Sequence, residues 1–185
     1  MEAPKPGTRT PEFKLQDLEG GEHTLAQLTA RGSAVLAFVS ARVHSSRITV
    51  SYLRRIKEAR AEVPLIAICQ DDEDTFREYA KGLVPEVHYL NFPAVLDPDF
   101  NFSKASGIRL VPTIVWVAND RTVKESWTGF RRPELNRLAE AVLAEYGGKA
   151  GPVIKEADNK GLYEIAEIAP WAGHPAGPPS VWKRA

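Results

Sequence analysis

The sequence lacks several features that would reveal a function directly. It has a single cysteine, Cys69, among 185 residues, which excludes an intrachain disulfide and a cysteine-rich zinc site. The 24 Lys and Arg residues balance the 24 Asp and Glu residues, which argues against a protein built mainly to hold nucleic acid or anionic lipid. The longest apolar run, residues 34–39, has the length of one β-strand and is too short to span a membrane.

What is present indicates one globular domain with an extension at each end. Residues 1–11 are polar and rich in proline, contain no apolar stretch of the secretory-signal type, and are interpreted as an arm. Residues 12–147 alternate between apolar strands and helical patterns, as a packed domain does. From residue 148 to residue 185 the composition shifts to a tail that contains two Trp and several Pro.

The order of elements predicts an α/β fold. Buried strands are expected at 33–39, 64–69 and 113–117, and the helix between the first two requires a parallel, right-handed crossover. The Asn119-Asp120 turn makes the next strand antiparallel, so the central sheet is mixed and flanked by helices. A strand from Phe13, followed by a glycine turn, adds an N-terminal β-hairpin.

Three segments together resemble a known family. They are PEFKLQDLEGGEHTLAQL at residues 11–28, AVLAFV at 34–39, and FPAVLDPDFNFSKASGIRLVPTIVWVANDRTV at 92–123. The chain resembles the thioredoxin-like redoxins, a group that includes alkyl hydroperoxide reductase/thiol-specific antioxidant proteins and the thiol–disulfide oxidoreductases of cytochrome maturation. The resemblance covers about residues 11–146. No cofactor and no metal are expected.

The resemblance also implies a role for the turn at Val111, Pro112 and Thr113. In the family this turn holds a cis proline, lies beside the redox loop, and offers backbone groups to a bound peptide or thiol partner. The other interpretation is a trans proline in a plain turn that leads into the strand, because cis X-Pro bonds are uncommon in general.

The redox loop implied by the resemblance lacks its sulfur in this chain. Relatives place Trp-Cys-x-x-Cys at a helix start, where the positive end of the helix lowers the thiol pKa. In this chain Arg42 occupies the position of the Trp, Val43 that of the first Cys and Ser46 that of the second. The loop contains no cysteine. Loop 42–46 is therefore interpreted as a degenerate redox loop.

The remaining loop residues have open roles. Ser45 and Ser46 either cap the following helix or act as activated hydroxyls, and no His-Asp pair near them favours the second role. His44 either faces solvent, contacts a partner, or binds a metal. Metal binding would need companions, and the other histidines lie at no ligand-like spacing: His23, His88 and His174.

Cys69 ends the second buried strand, at the edge of the sheet where α/β proteins bind ligands. One interpretation is a small buried apolar residue, and the other is a lone reactive thiol that forms mixed disulfides. The acidic run at residues 71–74 is expected to favour the start of the next helix.

The tail carries Trp171 and Trp182 within a proline-rich stretch that cannot be regular helix. These apolar rings either fold back onto the domain or dock on another chain. Earlier in the tail, apolar residues from Val153 onward hint at a short amphipathic helix interrupted at Gly161.

Three functional hypotheses follow. The first is a non-catalytic protein-binding or structural redoxin that uses the Pro112 turn and the tail. The second is an enzyme, a single-cysteine thiol oxidoreductase or peroxidase that uses Cys69. The third is a small-ligand carrier with a cleft between His44 and Pro112. The partner, the oligomeric state and the compartment stay open; the resemblance suggests an extracytoplasmic location.

Overall fold

The computed structural model describes residues 3–82, 90–149, 151–159 and 167–168. These residues form nine strands and five α-helices, and the buried strands expected at 33–39, 64–69 and 113–117 are among them, within one residue of those bounds. The strands are β1 Lys14–Gln16, β2 Glu22–Thr24, β3 Ala34–Val39, β4 Leu65–Cys69, β5 Ala94–Leu96, β6 Leu110–Val111, β7 Thr113–Val117, β8 Val123–Thr128 and β9 Glu167–Ile168. The helices are α1 Leu25–Thr29, α2 His44–Ala59, α3 Glu73–Gly82, α4 Asn101–Ala105 and α5 Arg132–Glu145.

The central sheet is mixed, as predicted, and has the strand order β5-β4-β3-β7-β8. The strands β3, β4 and β5 run parallel, while β7 pairs antiparallel with both β3 and β8. In this register Phe38 near the end of β3 lies opposite Thr113 at the start of β7. The loop after β3 and the turn before β7 therefore meet at one edge of the sheet, the edge formed by the ends of the strands, where β3 ends and β7 begins.

The core lies on both faces of this sheet, because successive strand residues point to opposite sides. Along β3, Val35 and Ala37 join one buried cluster, whereas Leu36 and Phe38 join the other. The first cluster is completed by apolar residues of α2 and α5, and the second by residues of α1 and α4. The all-apolar composition of β3 is thus explained by a strand that is covered on both faces.

The N-terminal residues pack along the start of β8. The amide of Gly7 donates to the carbonyl of Val123 at 2.8 Å, and the amide of Thr10 donates to the carbonyl of Arg121 at 2.9 Å. The predicted hairpin is present as β1 and β2, and Thr24 forms a capping box at the start of α1.

The first part of the tail packs on the domain. Val153 and Ile154 are buried in the cluster formed with α2 and α5. The side chain of Asn136 accepts from the amide of Ile154 at 2.9 Å and donates to its carbonyl at 3.1 Å. Arg55 donates to the carbonyl of Val153 at 2.7 Å and forms an ion pair with Asp158 at 2.6 Å.

The amphipathic helix expected from Val153 is wrong for the described part of the tail. Residues 151–155 are non-helical, and a short 3-10 helix, Glu156–Asn159, follows them. The amide and the carbonyl of Ile154 both bond to the side chain of Asn136, so the backbone hydrogen bonds of this segment go to α5 and not along a helix of its own. Gly161 lies outside the described residues. Further along, β9 pairs antiparallel with β6.

Candidate functional site

Two segments form the candidate site, the loop at residues 40–46 and the turn at residues 110–113. They lie at the same edge of the sheet, and Val43 of the loop and Val111 of the turn belong to the same buried cluster. The structure thus brings the loop and the turn together.

The loop ends at helix α2, which begins at His44. Val43 is the N-cap residue and makes no side-chain capping hydrogen bond. Its side chain is only 7% exposed. The position at which the resemblance implies a first redox cysteine is therefore filled by a buried aliphatic group.

The prediction that Ser45 or Ser46 caps α2 is wrong. Both residues lie inside the first turn of the helix and are buried. The hydroxyl of Ser46 instead accepts a hydrogen bond from the amide of Ser40 at 3.3 Å, which ties the helix back to the end of β3. The helix starts earlier than expected, so neither hydroxyl stands at the cap.

A buried carboxylate, Asp71, organises the loop. Its side chain is 1% exposed and accepts from the hydroxyl of Ser40 at 2.9 Å and from the amide of Ala41 at 2.5 Å. It also accepts from the thiol of Cys69 at 3.1 Å. Sequence reasoning missed this role, because Asp71 was grouped with the acidic residues of the following helix. The available signal was its place directly after a buried parallel strand, where functional side chains of α/β proteins gather.

The next residue, Asp72, caps α3 by accepting a hydrogen bond from the amide of Thr75 at 2.8 Å. The hydrogen bonds from Thr75 are also the main reason that the pKa of Asp72 is lowered. Arg42 reaches across to this cap. It donates to Thr75 Oγ1 at 2.9 Å and to Asp72 Oδ2 at 3.3 Å, and its side chain remains 58% exposed. Arg42 thus fastens the outer side of the loop to the start of α3.

His44 is exposed, and its Nδ1 lies 3.5 Å from Nη2 of Arg47. Among the described residues, no group of three or more His, Cys, Asp or Glu side chains is arranged to hold a metal ion. His88 and His174 lie outside the described residues.

Cys69 is fully buried at the end of β4. Burial, and then the charge of the neighbouring Asp71, raise the pKa of its thiol well above the ordinary value. The thiol therefore stays protonated near neutral pH, and a protonated thiol is a poor nucleophile.

The turn keeps the geometry that the resemblance implies. The Val111–Pro112 peptide bond is cis. The carbonyl of Pro112 accepts from the amide of Gly129 at 2.7 Å, and the hydroxyl of Thr113 donates to the carbonyl of Leu110 at 2.7 Å. Thr113 Oγ1 also lies 3.1 Å from Thr128 Oγ1, across the β7–β8 pair. The turn is thus held by the strands on either side of it.

Other predicted features lie away from this edge or outside the described residues. Trp171 and Trp182 are not among the described residues. A cavity of about 270 Å³ lies between the N-terminal residues and the sheet, with Phe38 and Val115 in its wall, and neither His44 nor Pro112 lines it.

Within the described ranges, no helix has the length and apolar character needed to cross a bilayer.

Comparison with known families gives one clear match. The model of the AhpC/TSA family matches residues 6–126, which is more than half of the chain. No curated protein matches the chain.

Solved structures show the same fold. A protein from Chlorobium tepidum described as a thiol:disulfide interchange protein DsbE is 19% identical, with a TM-score of 0.65 over 77% of this chain and 99% of that one. A protein from Bacteroides thetaiotaomicron described as a protein disulfide isomerase is 16% identical, with a TM-score of 0.66 over 79% and 92%. The peroxidoxin BcpB from Mycobacterium tuberculosis is 23% identical, with a TM-score of 0.61 over 76% and 97%.

Proposed function

Because the chain belongs to the AhpC/TSA family, we propose that it is a member without thiol redox chemistry that binds a protein partner. The partner contacts the edge of the sheet where loop 40–46 meets the Pro112 turn. The family fold is retained in this function, while the catalytic step of the relatives is absent.

The observation that carries the proposal is the placement of sulfur. The start of α2, where a positive helix end would activate a thiol, carries Val43. The single thiol, Cys69, is fully buried at a strand end beside the carboxylate of Asp71. The environment that favours a thiolate has no sulfur, and the sulfur present has an environment that disfavours a thiolate.

Partner binding is supported by exposed side chains on a loop that is already held in one conformation. Arg42 and His44 are exposed on the loop, and the loop beneath them is held by hydrogen bonds to the side chains of Asp71 and Ser46. A preorganised loop loses little conformational entropy when a partner binds. We include Trp171 and Trp182 in the proposed docking surface, because Trp is enriched among the residues that dominate binding energy at interfaces.

Thiol labelling tests the loss of redox chemistry. The native chain at neutral pH is treated with a thiol-reactive disulfide reagent and compared with the denatured chain and with Cys69→Ser. We expect Cys69 to react only after denaturation. We also expect that neither the native chain nor Cys69→Ser reduces insulin disulfides or a hydroperoxide. Rapid native labelling, together with turnover that disappears in Cys69→Ser, would establish the single-cysteine enzyme instead.

A second experiment tests the docking surface. Truncation after Gly148 would also remove the buried Val153 and Ile154, so substitution in the full chain is sharper. Proteins isolated with the wild-type chain are compared with those isolated with Trp171→Ala/Trp182→Ala, and Lys183→Ala/Arg184→Ala serves as the control. We expect the Trp variant alone to lose a specific partner; equal recovery by all three chains removes the Trp residues from the surface.

A further inference from the structure

Strand β6, Leu110–Val111, stands apart from the five-stranded sheet. Within the described residues its pairing partner is β9, with Leu110 opposite Ile168 and Val111 opposite Glu167. Two residues of the tail therefore form an antiparallel ladder with the residues directly before the cis bond.

The place of this ladder in the molecule matters. Pro112 links β6 to β7, whose first residue, Thr113, lies opposite Phe38 of β3. Val111 is buried in the same cluster as Val43 of the loop. The tail strand thus pairs at the edge that we assign to partner binding.

The backbone N–H and C=O groups on one side of a strand such as β6 pair with one extended chain at a time. An unpaired strand edge presents N–H and C=O groups that bind an extended segment by strand addition. Glu167 and Ile168 already pair with this edge. A partner that adds a strand on the side of β6 that β9 occupies must therefore replace the tail.

The tail can compete with an external peptide for β6 because it is tethered to the domain. It is fastened to the domain at Ile154 by Asn136 and at Asp158 by Arg55, only a short stretch before Glu167. A short tether of this kind gives an effective concentration on the order of millimolar. A weak external peptide at micromolar concentration would not displace a segment held in this way.

We propose that Glu167–Ile168 is an internal occupant of a strand-binding edge formed by Leu110–Val111. A partner's extended segment binds this edge only after the tail strand has left it. The proposal rests on the proposed function and adds to it the element that regulates access to this edge, the tail strand Glu167–Ile168.

The test uses the full chain in three forms. Glu167→Pro/Ile168→Pro removes both amide hydrogens of β9, whichever of the two pairs carries the hydrogen bonds. Glu167→Thr/Ile168→Val keeps both amides and favours strands, and so serves as the matched control with the wild type. Hydrogen–deuterium exchange is followed at residues 109–111 and, as an internal reference, at β3.

We expect exchange at residues 109–111 to be at least tenfold faster in the proline variant and unchanged in the control, with β3 protected in all three chains. A fluorescent peptide with the sequence of residues 163–172, YEIAEIAPWA, is then titrated into each chain. It should bind the proline variant at least tenfold more tightly than the wild type or the control.

Equal exchange in the three chains overturns the inference, and so does a peptide that binds all three equally. A freed edge that takes no peptide overturns it as well, because the edge then does not bind strands. None of these results alters the thiol labelling of Cys69, so the loss of redox chemistry in the proposed function is judged separately.

Discussion

The loop at residues 40–46 and the turn at residues 110–113 share one edge of the sheet but are held by different means. The loop depends on side chains, chiefly the carboxylate of Asp71 and the hydroxyls of Ser40 and Ser46. The turn depends mainly on backbone groups, since its carbonyls accept from Gly129 and Thr113 and its strand pairs with β9.

This difference bears on the proposed function, in which the loop has no redox chemistry and the turn keeps its shape. The departures from the family pattern at Arg42, Val43 and Ser46 are changes of side chain, and the loop is held by the carboxylate of Asp71 beneath it. The turn geometry follows from the flanking strands, so substitutions at the loop leave it in place. Four predictions test this division, in order of decreasing expected effect.

The largest effect is expected when sulfur is returned to the loop. In Val43→Cys combined with Cys69→Ser, the new thiol stands at the start of α2, where the helix dipole stabilises a thiolate. We expect it to label at least a thousandfold faster than native Cys69, which corresponds to about 4 kcal/mol. Equal labelling rates would show that the loop opens only when the whole chain unfolds, and would break the comparison.

Removal of the buried carboxylate should destabilise the loop strongly. Asp71→Ala leaves the hydroxyl of Ser40 and the amide of Ala41 without an acceptor, at a cost of about 2–4 kcal/mol in the free energy of unfolding. Asp72→Ala, which removes an exposed helix cap, should cost about 1 kcal/mol. Urea denaturation of both variants measures the difference, and similar losses would show that Asp71 does not organise the loop.

A side-chain change at the turn should have a smaller effect. Thr113→Val keeps the shape of the residue but loses the hydrogen bond to the carbonyl of Leu110 and the contact with Thr128. We expect a loss of about 1 kcal/mol, because the backbone bonds of the turn remain. Thr122→Val, at the exposed turn before β8, is the control. A loss at Thr113 as large as that of Asp71→Ala would contradict the idea of a turn held by its backbone.

The smallest effect concerns pH and the tail that supplies β9. The hydrogen bond from Arg55 lowers the pKa of Asp158 to about 2, from an ordinary value of 3.8. Because the pKa is lowered in the folded chain, this contact stabilises the tail above pH 3.8 and is lost as the pH falls towards 2. We expect hydrogen exchange of residues 153–159, corrected for intrinsic rates, to rise a few-fold between about pH 4 and about pH 2.

Asp158→Asn provides the control for the pH prediction. It should raise tail exchange already near neutral pH and remove the rise at low pH, while the loop around Asp71 keeps its protection near neutral pH. If the tail of this variant responds to acid in the same way as the wild-type tail, the titrating group lies elsewhere.

Much of the fold was predictable because its signals are local. Continuous apolar runs marked β3, β4 and β7, and the Asn119-Asp120 turn marked the β7–β8 hairpin. The candidate site was predictable only in part. The absence of cysteine in loop 42–46 was plain, whereas the buried role of Asp71 depends on contacts with Ser40 and Ala41, about 30 residues away along the chain.

By itself, the sequence determined which groups this protein has for chemistry: one thiol, no cysteine at the start of α2, and a Val-Pro-Thr turn. Only the tertiary structure decided the surroundings of those groups. It buried Cys69 beside a carboxylate, turned Asp71 inward, and paired the tail with the edge before Pro112. Composition is a property of each residue, whereas burial, pKa and strand pairing depend on residues that are distant along the chain.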